Sequence, residues 1–401
     1  MSECVADVAV IGAGPAGAFL ASRLAEAGRD VVLFDPKGAW EKPCGGGVPT
    51  RALREYAALL NHTEHPRKLI RRVTLVSPVM RRVTIDFDEP FAIYSRQVLN
   101  GLVLDRALES GARFVRAAVT EFERETDAWR MTTDDGQTWR ARFMVGADGA
   151  ASSTRRKLVG IFPKQDLALA FGYNVTVSDS DQPHAINGKT NGAGKEEVIV
   201  QFLCDFTGYI WAFPRPGVMN FGVASKLGER TSDELRALLK RFVEDYFGKM
   251  PEPERLSFFG AKIPTLDYAS WRGLRTVGQG WALIGDAAGF ADPITGEGIY
   301  YALKSADLMA DALLADAGGD YAEAAYEASW REAFGHDLER ASRRLPLFYR
   351  GRFCGRIFTD AMILLARYHR GVRRVLVRAV VGYQSYTTLK RELLRNVLRV
   401  F

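Results

Sequence analysis

The stretch Val8-Ala9-Val10-Ile11-Gly12-Ala13-Gly14-Pro15-Ala16-Gly17 decides the fold. An apolar strand, Ala6 to Ile11, runs straight into three glycines spaced as GxGxxG. A helical stretch from Ala18 to Ala27 follows and closes at Gly28, and a second apolar strand, Val31 to Phe34, ends on Asp35. Each part has a physical reason. Gly12 permits the tight turn, Gly14 lets the backbone approach a pyrophosphate, and Gly17 lets helix and strand pack closely. The helix N-terminus offers free N–H groups and a partial positive charge to phosphates. Asp35 follows Gly17 by 18 residues and stands at a strand tip, where a carboxylate can hold a ribose hydroxyl. Strand, glycines, helix, strand and acid in this order predict a dinucleotide-binding α/β unit.

Two later segments have the same strand-then-turn character. Phe143-Met144-Val145-Gly146-Ala147-Asp148-Gly149-Ala150 is an apolar strand ending in Asp-Gly. Trp281-Ala282-Leu283-Ile284-Gly285-Asp286-Ala287-Ala288-Gly289 is another, ending in Gly-Asp. It leads through Asp292-Pro293-Ile294-Thr295-Gly296-Glu297-Gly298 into a helix expected from Ile299 to Ala315. With GxGxxG, DG and GD in this order and about this spacing, residues 5–315 resemble the flavoprotein hydroxylase superfamily, the para-hydroxybenzoate-hydroxylase-like fold. The resemblance implies FAD as cofactor. It implies that Asp286 binds the ribityl chain. It also implies that Asp148 lies between the pyrophosphate and the nicotinamide path. Arg96, in Tyr94-Ser95-Arg96-Gln97, would touch FAD, with Asp105 nearby in the following helix; a surface ion pair is the other reading of Arg96. Gly296 and Gly298 precede a helix start, where N–H groups and the helix dipole favour negative charge at the N1/O2 edge of a reduced flavin. No second GxGxxG occurs, so a separate NAD(P)H domain is not expected.

Two short motifs bear on the branch of this superfamily. Lys42-Pro43-Cys44-Gly45-Gly46-Gly47-Val48-Pro49-Thr50 and Gly208-Tyr209-Ile210-Trp211-Ala212-Phe213-Pro214 together resemble the geranylgeranyl reductase family, whose members carry a PCGGG-type loop and a PxxYxWxFP motif. The second motif matches at Tyr209, Trp211, Phe213 and Pro214 and departs at Phe206, where the family often has proline. Strand-like runs surround it: Leu167–Val177, Glu197–Phe202, Tyr209–Phe213 and Met219–Ala224. Tyr209, Trp211 and Phe213 are two apart, so their side chains share one face of a strand and could line a channel for an apolar chain. Ordinary sheet packing explains the same stripe. The glycines after Cys44 let backbone pass close to a flat ring, and the thiol is placed to shape or protonate a substrate; a small buried hydrophobe is the other reading.

The resemblance implies an FAD-dependent oxidoreductase. It would reduce carbon–carbon double bonds of a geranylgeranyl-type chain by proton plus N5 hydride transfer, with NADPH or ferredoxin as reductant. The substrate would be a prenyl-chain lipid or prenyl diphosphate. Cys44, Tyr209 and Trp211 are the catalytic candidates. Gly12, Gly14, Gly17, Asp35, Cys44, Gly45, Gly46, Arg96, Asp148, Gly285, Asp286, Pro293, Gly296 and Gly298 are the cofactor candidates. The alternative is an FAD-dependent monooxygenase or halogenase acting on an aromatic or other apolar substrate. A halogenase is expected to carry WxWxIP, and this chain has Tyr209 and Phe213 at the first and fifth positions. The expected fold class is α/β (α+β overall): a Rossmann-like FAD-binding domain, an inserted antiparallel-sheet substrate domain and a helical C-terminal region. The expected boundaries are 1–75, 96–160 and 274–335 for the first, 76–95 and 161–273 for the second, and 336–401 for the third.

Composition agrees with this reading. The chain has 401 residues, 47% of them hydrophobic and 25% charged, which excludes a wholly disordered chain. Cys4, Cys44, Cys204 and Cys354 form no CxxC pair, a pattern that fits a reducing compartment. Glu3 and Asp7 stand where a signal peptide carries basic residues, so a cytoplasmic protein is expected, peripheral on the inner membrane surface if it meets a bilayer. His62 and His65 lie three apart with no third ligand evident, so no metal site is expected. Residues 340–401 hold fifteen Arg or Lys against two acids, a balance of +13 that leaves −7 on residues 1–339. Val372, Val375, Leu376, Ala379 and Val380 recur at helical spacing beside Arg370, Arg374 and Arg378, and Leu389, Leu393, Val397 and Phe401 repeat the arrangement beside Arg391, Arg395 and Arg399. Two readings of these helices stand: a surface for anionic lipid, or a cap packed on the acidic body. No nucleic-acid module accompanies the charge.

Overall fold

The structure, a computed structural model, describes residues 5–61, 64–178, 197–316 and 321–398. Cys4, His62, His184, Arg399 and Phe401 lie outside them. The chain divides into two compact units. The first comprises Met1–Lys42, Arg96–Pro163 and Tyr268–Glu339, and the second Pro43–Ser95, Lys164–Asp267 and Arg340–Phe401.

The first unit is built on a parallel sheet. Strand β1 (Val5–Ile11) pairs in parallel with β2 (Val31–Phe34) on one side and β3 (Thr138–Gly146) on the other. Strand β4 (Trp281–Leu283) lies parallel to β3 on its far side, and Arg113–Val115 extends the sheet beyond β2. The strands are near-continuous apolar runs because both sheet faces are covered. Val8, Ala9, Val10, Val32, Leu33, Val145 and Ala282 are all buried. Helix α1 (Pro15–Glu26) packs against α2 (Arg96–Glu109) and α3 (Ile299–Ala315), the last with the bounds expected from sequence.

The second unit is an eight-stranded sheet. Its order is Leu256–Pro264, Leu167–Thr176, Val218–Lys226, Gly208–Arg215, Glu197–Phe202, Arg67–Val76, Arg82–Tyr94 and Gly47–Val48. All pairs are antiparallel except Glu197–Phe202 with Arg67–Val76. One face is the main core: Phe171, Val175, Ile199, Ile210, Phe221 and Val223 pack under helix Ser232–Phe247 through Leu235, Leu239, Phe242 and Val243. That helix opens with a capping box between Thr231 and Glu234 and closes on left-handed Gly248.

One placement differs from the sequence expectation. Residues 43–75, grouped there with the cofactor-binding segments, fall in the second unit, because strand Arg67–Val76 is paired on both edges within its sheet. After Pro49 the chain forms two short helices, Thr50–Glu55 and Ala57–Leu60, divided at Tyr56, whose φ is −113° and ψ 41°. The C-terminal segment packs within the second unit. Arg350 pairs with Glu229 at 2.5 Å, Arg81 reaches buried Asp360 at 2.5 Å, and the Phe202 ring meets Phe348 at 5.6 Å. Its outer side keeps Leu365, Tyr368 and Leu394 exposed among the arginines.

Candidate active site

In the first unit, three strands end level with one another. Ile11 and Leu283 both stand beside Gly146, so the loops after β1, β3 and β4 leave the sheet side by side. In parallel sheets, ligands gather at the carboxyl ends of the strands. All three motifs quoted from the sequence are therefore brought together here by register.

Within the first loop the glycines differ in kind. Gly12 has φ +106°, and a side chain there would meet the Ala147 carbonyl oxygen at 2.5 Å. A Cβ on Gly17 would overlap the Gly12 carbonyl. Gly14 has nothing within 4 Å of a Cβ position, so protein packing does not demand glycine there. Gly14 caps α1, leaving the helix's first N–H groups at the loop. Asp35 Oδ2 accepts from Ala13 N at 2.9 Å, while Oδ1 accepts from Lys37 N at 2.8 Å and Gly38 N at 2.9 Å. The carboxylate expected to hold a ribose hydroxyl is thus anchored to the glycine loop and to the turn that follows it.

Asp148 turns into its own segment. It accepts from the Ser152 hydroxyl, from Ser153 Oγ at 3.0 Å, and from Thr154 N at 3.0 Å and Oγ1 at 3.1 Å. Those bonds set the start of helix Ser153–Leu158. Asp286 takes Lys42 Nζ at 3.0 Å, and its Oδ1 lies 3.1 Å from where a Cβ on Gly298 would stand. Gly298 caps α3. The Gly-Asp turn and the α3 N-terminus are therefore adjacent, with Lys42 as counter-charge. Gly285 donates its N–H to Ser305 Oγ at 3.0 Å, Pro293 is buried, and Gly296 bonds back to the Asp292 carbonyl at 2.8 Å.

Arg96 is not a surface residue. It is 4% exposed and begins α2, with Nη2 donating to Asn100 Oδ1 at 3.2 Å, whereas Asp105 in the same helix is exposed. Glu41 receives the backbone N–H of Arg96 at 3.1 Å and of Gln97 at 3.0 Å, closing the helix start. The Arg96 Nε is buried without a hydrogen-bond partner. A buried unpaired donor on a cation is costly, and an anionic ligand removes that cost. The orphan guanidinium nitrogen and the unfilled space at Gly14 fit an anionic dinucleotide in this unit.

Glu297 was not singled out from sequence, although it lies inside the quoted Gly296–Gly298 turn. Burial pushes its carboxyl up to about 8. The Tyr300 N–H, donating at 2.7 Å, works against that rise, and the nearby charges of Asp292 and Asp286 add to it.

In the second unit, the face of the sheet opposite the main core is aromatic over small residues. Trp211, Ala170 and Ala224 are buried together, with Tyr209, Phe213, Phe259 and Ile263 packed against them. Ring centroids stand 5.7 Å apart from Tyr209 to Trp211 and 6.3 Å from Trp211 to Phe213. The Trp211 ring lies across Gly222, where any Cβ would overlap it. Its Nε1 donates to Asn220 Oδ1 at 2.8 Å, and Asn220 Nδ2 donates to Asn174 Oδ1 at 2.7 Å. Asn220 is fully buried, so the indole plane is fixed by a chain of amides.

The cysteine loop sits on this stripe. A Cβ on Gly45 would meet Phe213 Cδ2 at 2.8 Å and Trp211 Nε1 at 3.6 Å. Gly46 has φ +82°, and its N–H donates to Cys44 Sγ at 3.3 Å. Arg215, 5% exposed, donates through Nη2 to the Cys44 carbonyl. The two motifs that define the branch, distant in sequence, thus form one cluster. Arg215 and Asn220 were missed. Arg215 continues the two-residue repeat of Tyr209, Trp211 and Phe213 and was open to discovery on that ground. Asn220 stands opposite Phe213 only through the strand register.

The family model of the lycopene cyclase proteins matches residues 7–186. The geranylgeranyl diphosphate reductase of Rhodobacter capsulatus is 29% identical over 324 residues, covering 77% of this chain and 75% of that one. The menaquinone reductase of Mycobacterium tuberculosis is 31% identical over 333 residues, covering 77% of this chain and 76% of that one. Among solved structures, a geranylgeranyl bacteriochlorophyll reductase-like protein of Thermoplasma acidophilum superposes with a TM-score of 0.74 at 19% identity, covering 98% of this chain and 96% of that one.

Proposed function

The chain belongs to the geranylgeranyl reductase family of flavoproteins, and from that premise we propose that it is an FAD-dependent oxidoreductase reducing carbon–carbon double bonds of a geranylgeranyl-type isoprenoid chain. The observation that carries this reading is the cysteine loop seated on the Tyr209–Trp211–Phe213 stripe. That surface is apolar, aromatic and ordered, and it presents one thiol. Such a surface suits a long hydrocarbon better than a phenol, which needs placed polar groups.

Gly12, Gly14, Gly17, Asp35, Arg96, Asp148, Gly285, Asp286, Pro293, Gly296 and Gly298 are the residues assigned to FAD, with Cys44, Gly45 and Gly46 assigned to its ring. When bound, FAD supplies the hydride. The remaining work falls to the chain. An isolated trisubstituted alkene is electron-rich, so a proton must reach one carbon as hydride reaches the other. Tyr209 and Trp211 offer π-faces to the positive charge that develops. The stripe excludes water and holds the alkene in one orientation. The Cys44 thiol shapes that position.

The substrate in this reading is a prenyl diphosphate or prenyl-chain lipid, and NADPH or ferredoxin restores the reduced state. Peripheral association with anionic membranes through the basic C-terminal helices belongs to the same proposal, since exposed Leu365, Tyr368 and Leu394 lie among arginines there. No described helix is long and apolar enough to cross a membrane. Cys44→Ala and Trp211→Ala are expected to keep FAD and lose most of their turnover on a prenyl substrate. Unchanged turnover in both sinks the assignment. Co-sedimentation with phosphatidylglycerol but not phosphatidylcholine vesicles is expected, and equal sedimentation with neither removes the membrane element.

A further inference from the structure

Arg215 has no role in the reading so far. It is a guanidinium 5% exposed in the second unit, at the end of the strand that carries Tyr209, Trp211 and Phe213, and on the same face. Burying a cation is unfavourable unless its donors are engaged. Its Nη2 is spent on the carbonyl of Cys44, the residue whose thiol the loop presents.

The loop is held from its other end by backbone. Tyr94 N donates to the Gly46 carbonyl at 3.0 Å, and Gly47 and Val48 pair with Ile93 and Ala92. A Cβ on Gly46 would overlap the Tyr94 carbonyl and stand 3.3 Å from Arg215 Nη2. The peptide between Cys44 and Gly46 therefore lies between a strand edge and the Arg215 guanidinium. Gly46 N in turn donates to Cys44 Sγ, so a shift of this peptide moves the thiol.

We infer that Arg215 is the positioning residue of the Cys44 thiol, holding its peptide at one end of the aromatic stripe so that the sulfur keeps a single direction. The inference rests on the assignment of Cys44 and Trp211 made above. Arginine suits the task because its planar fork reaches a carbonyl from a buried position, and lysine at the same site retains the charge and one donor reach.

Two readouts separate this inference from the functional reading on which it rests. The first needs no substrate. Peptide-resolved alkylation of Cys44 by iodoacetamide in the FAD-loaded protein is expected to be at least fivefold faster in Arg215→Met than in the parent, with Arg215→Lys in between and Cys204 unchanged. Equal Cys44 labelling in all three proteins overturns the inference, whatever the enzyme turns over. The second is a double-mutant cycle on reduction of geranylgeranyl diphosphate. Arg215→Met is expected to lower kcat at least tenfold with KM within threefold, Arg215→Lys to restore part of it, and Arg215→Met to cost less than twofold once Cys44 is alanine. Equal losses with and without Cys44 mean that Arg215 does not act through the thiol and overturn the inference. If Arg215→Met does not fold, Arg215→Lys carries both readouts. If the parent protein reduces no prenyl substrate, the functional reading fails and the labelling result alone still decides Arg215.

Discussion

The first unit organises its loops with backbone; the second organises its aromatic face with side chains. In the first, three strand ends are level, and glycines let the loops crowd until α1 presents its N–H groups. In the second, the orientation of Trp211 depends on an amide of the adjacent strand, nine residues along the chain, and on a glycine of that strand that leaves room for the ring. The difference teaches where function can be read. Backbone requirements are written as glycine at fixed spacing. Side-chain requirements are written across strands, where only pairing reveals them.

The comparison breaks first at Gly17. Gly17→Val places a side chain onto the Gly12 carbonyl and is expected to cost more than about 4 kcal/mol, read as loss of soluble protein or a collapse of the urea midpoint. Gly14→Ala is the contrast: with open space around it, stability should stay within about 1 kcal/mol of the parent while FAD retention falls at least tenfold by fluorescence titration. A stable Gly14→Ala protein that binds FAD normally would remove the argument that this glycine serves a ligand.

In the second unit the effects should be smaller on stability and larger on turnover. Gly222→Ala drives a methyl into the Trp211 ring and is expected to cost about 1–3 kcal/mol by overpacking, with a fall in kcat. Asn220→Leu leaves the indole N–H buried and unsatisfied, for about 1–3 kcal/mol. Denaturant unfolding and steady-state kinetics on the same samples check both. Stability loss without any loss of turnover would make the amide chain a matter of packing alone.

The smallest expected effect is on pH dependence. The Glu297 carboxyl has a higher pKa folded than unfolded, so the folded state holds the extra proton between about 4.5 and about 8. Its contribution is full below that window and is lost as pH rises through it. The thermal midpoint should therefore decline less steeply from pH 4.5 to 8 in Glu297→Gln than in the parent. Identical slopes would place the carboxyl in water.

Much of the first unit was legible. The strands Val5–Ile11 and Val31–Phe34 and helix Ile299–Ala315 follow from apolar runs and turn residues. Arg96 was legible as a candidate but not as a buried one, because burial of a helix-leading arginine depends on Glu41 and Asn100 closing around it. Lys42 was quoted only as the start of the cysteine loop, and its pairing with Asp286 bridges 244 residues. The strands Arg67–Val76 and Arg82–Tyr94 went unread among a run of charged residues whose alternation marks a sheet with one exposed face. The C-terminal helices were legible as amphipathic, but their packing within the second unit rests on single pairs such as Arg81 with Asp360.

The most direct measurement is anaerobic. The purified flavoprotein is reduced with dithionite, geranylgeranyl diphosphate or a geranylgeranyl phospholipid is added, and flavin absorbance and product mass are followed together. The account predicts reoxidation of the flavin without oxygen and a lipid heavier by two hydrogens for each double bond reduced. A flavin that stays reduced until air is admitted, with oxygen then incorporated into the substrate, would contradict it and make the enzyme a monooxygenase.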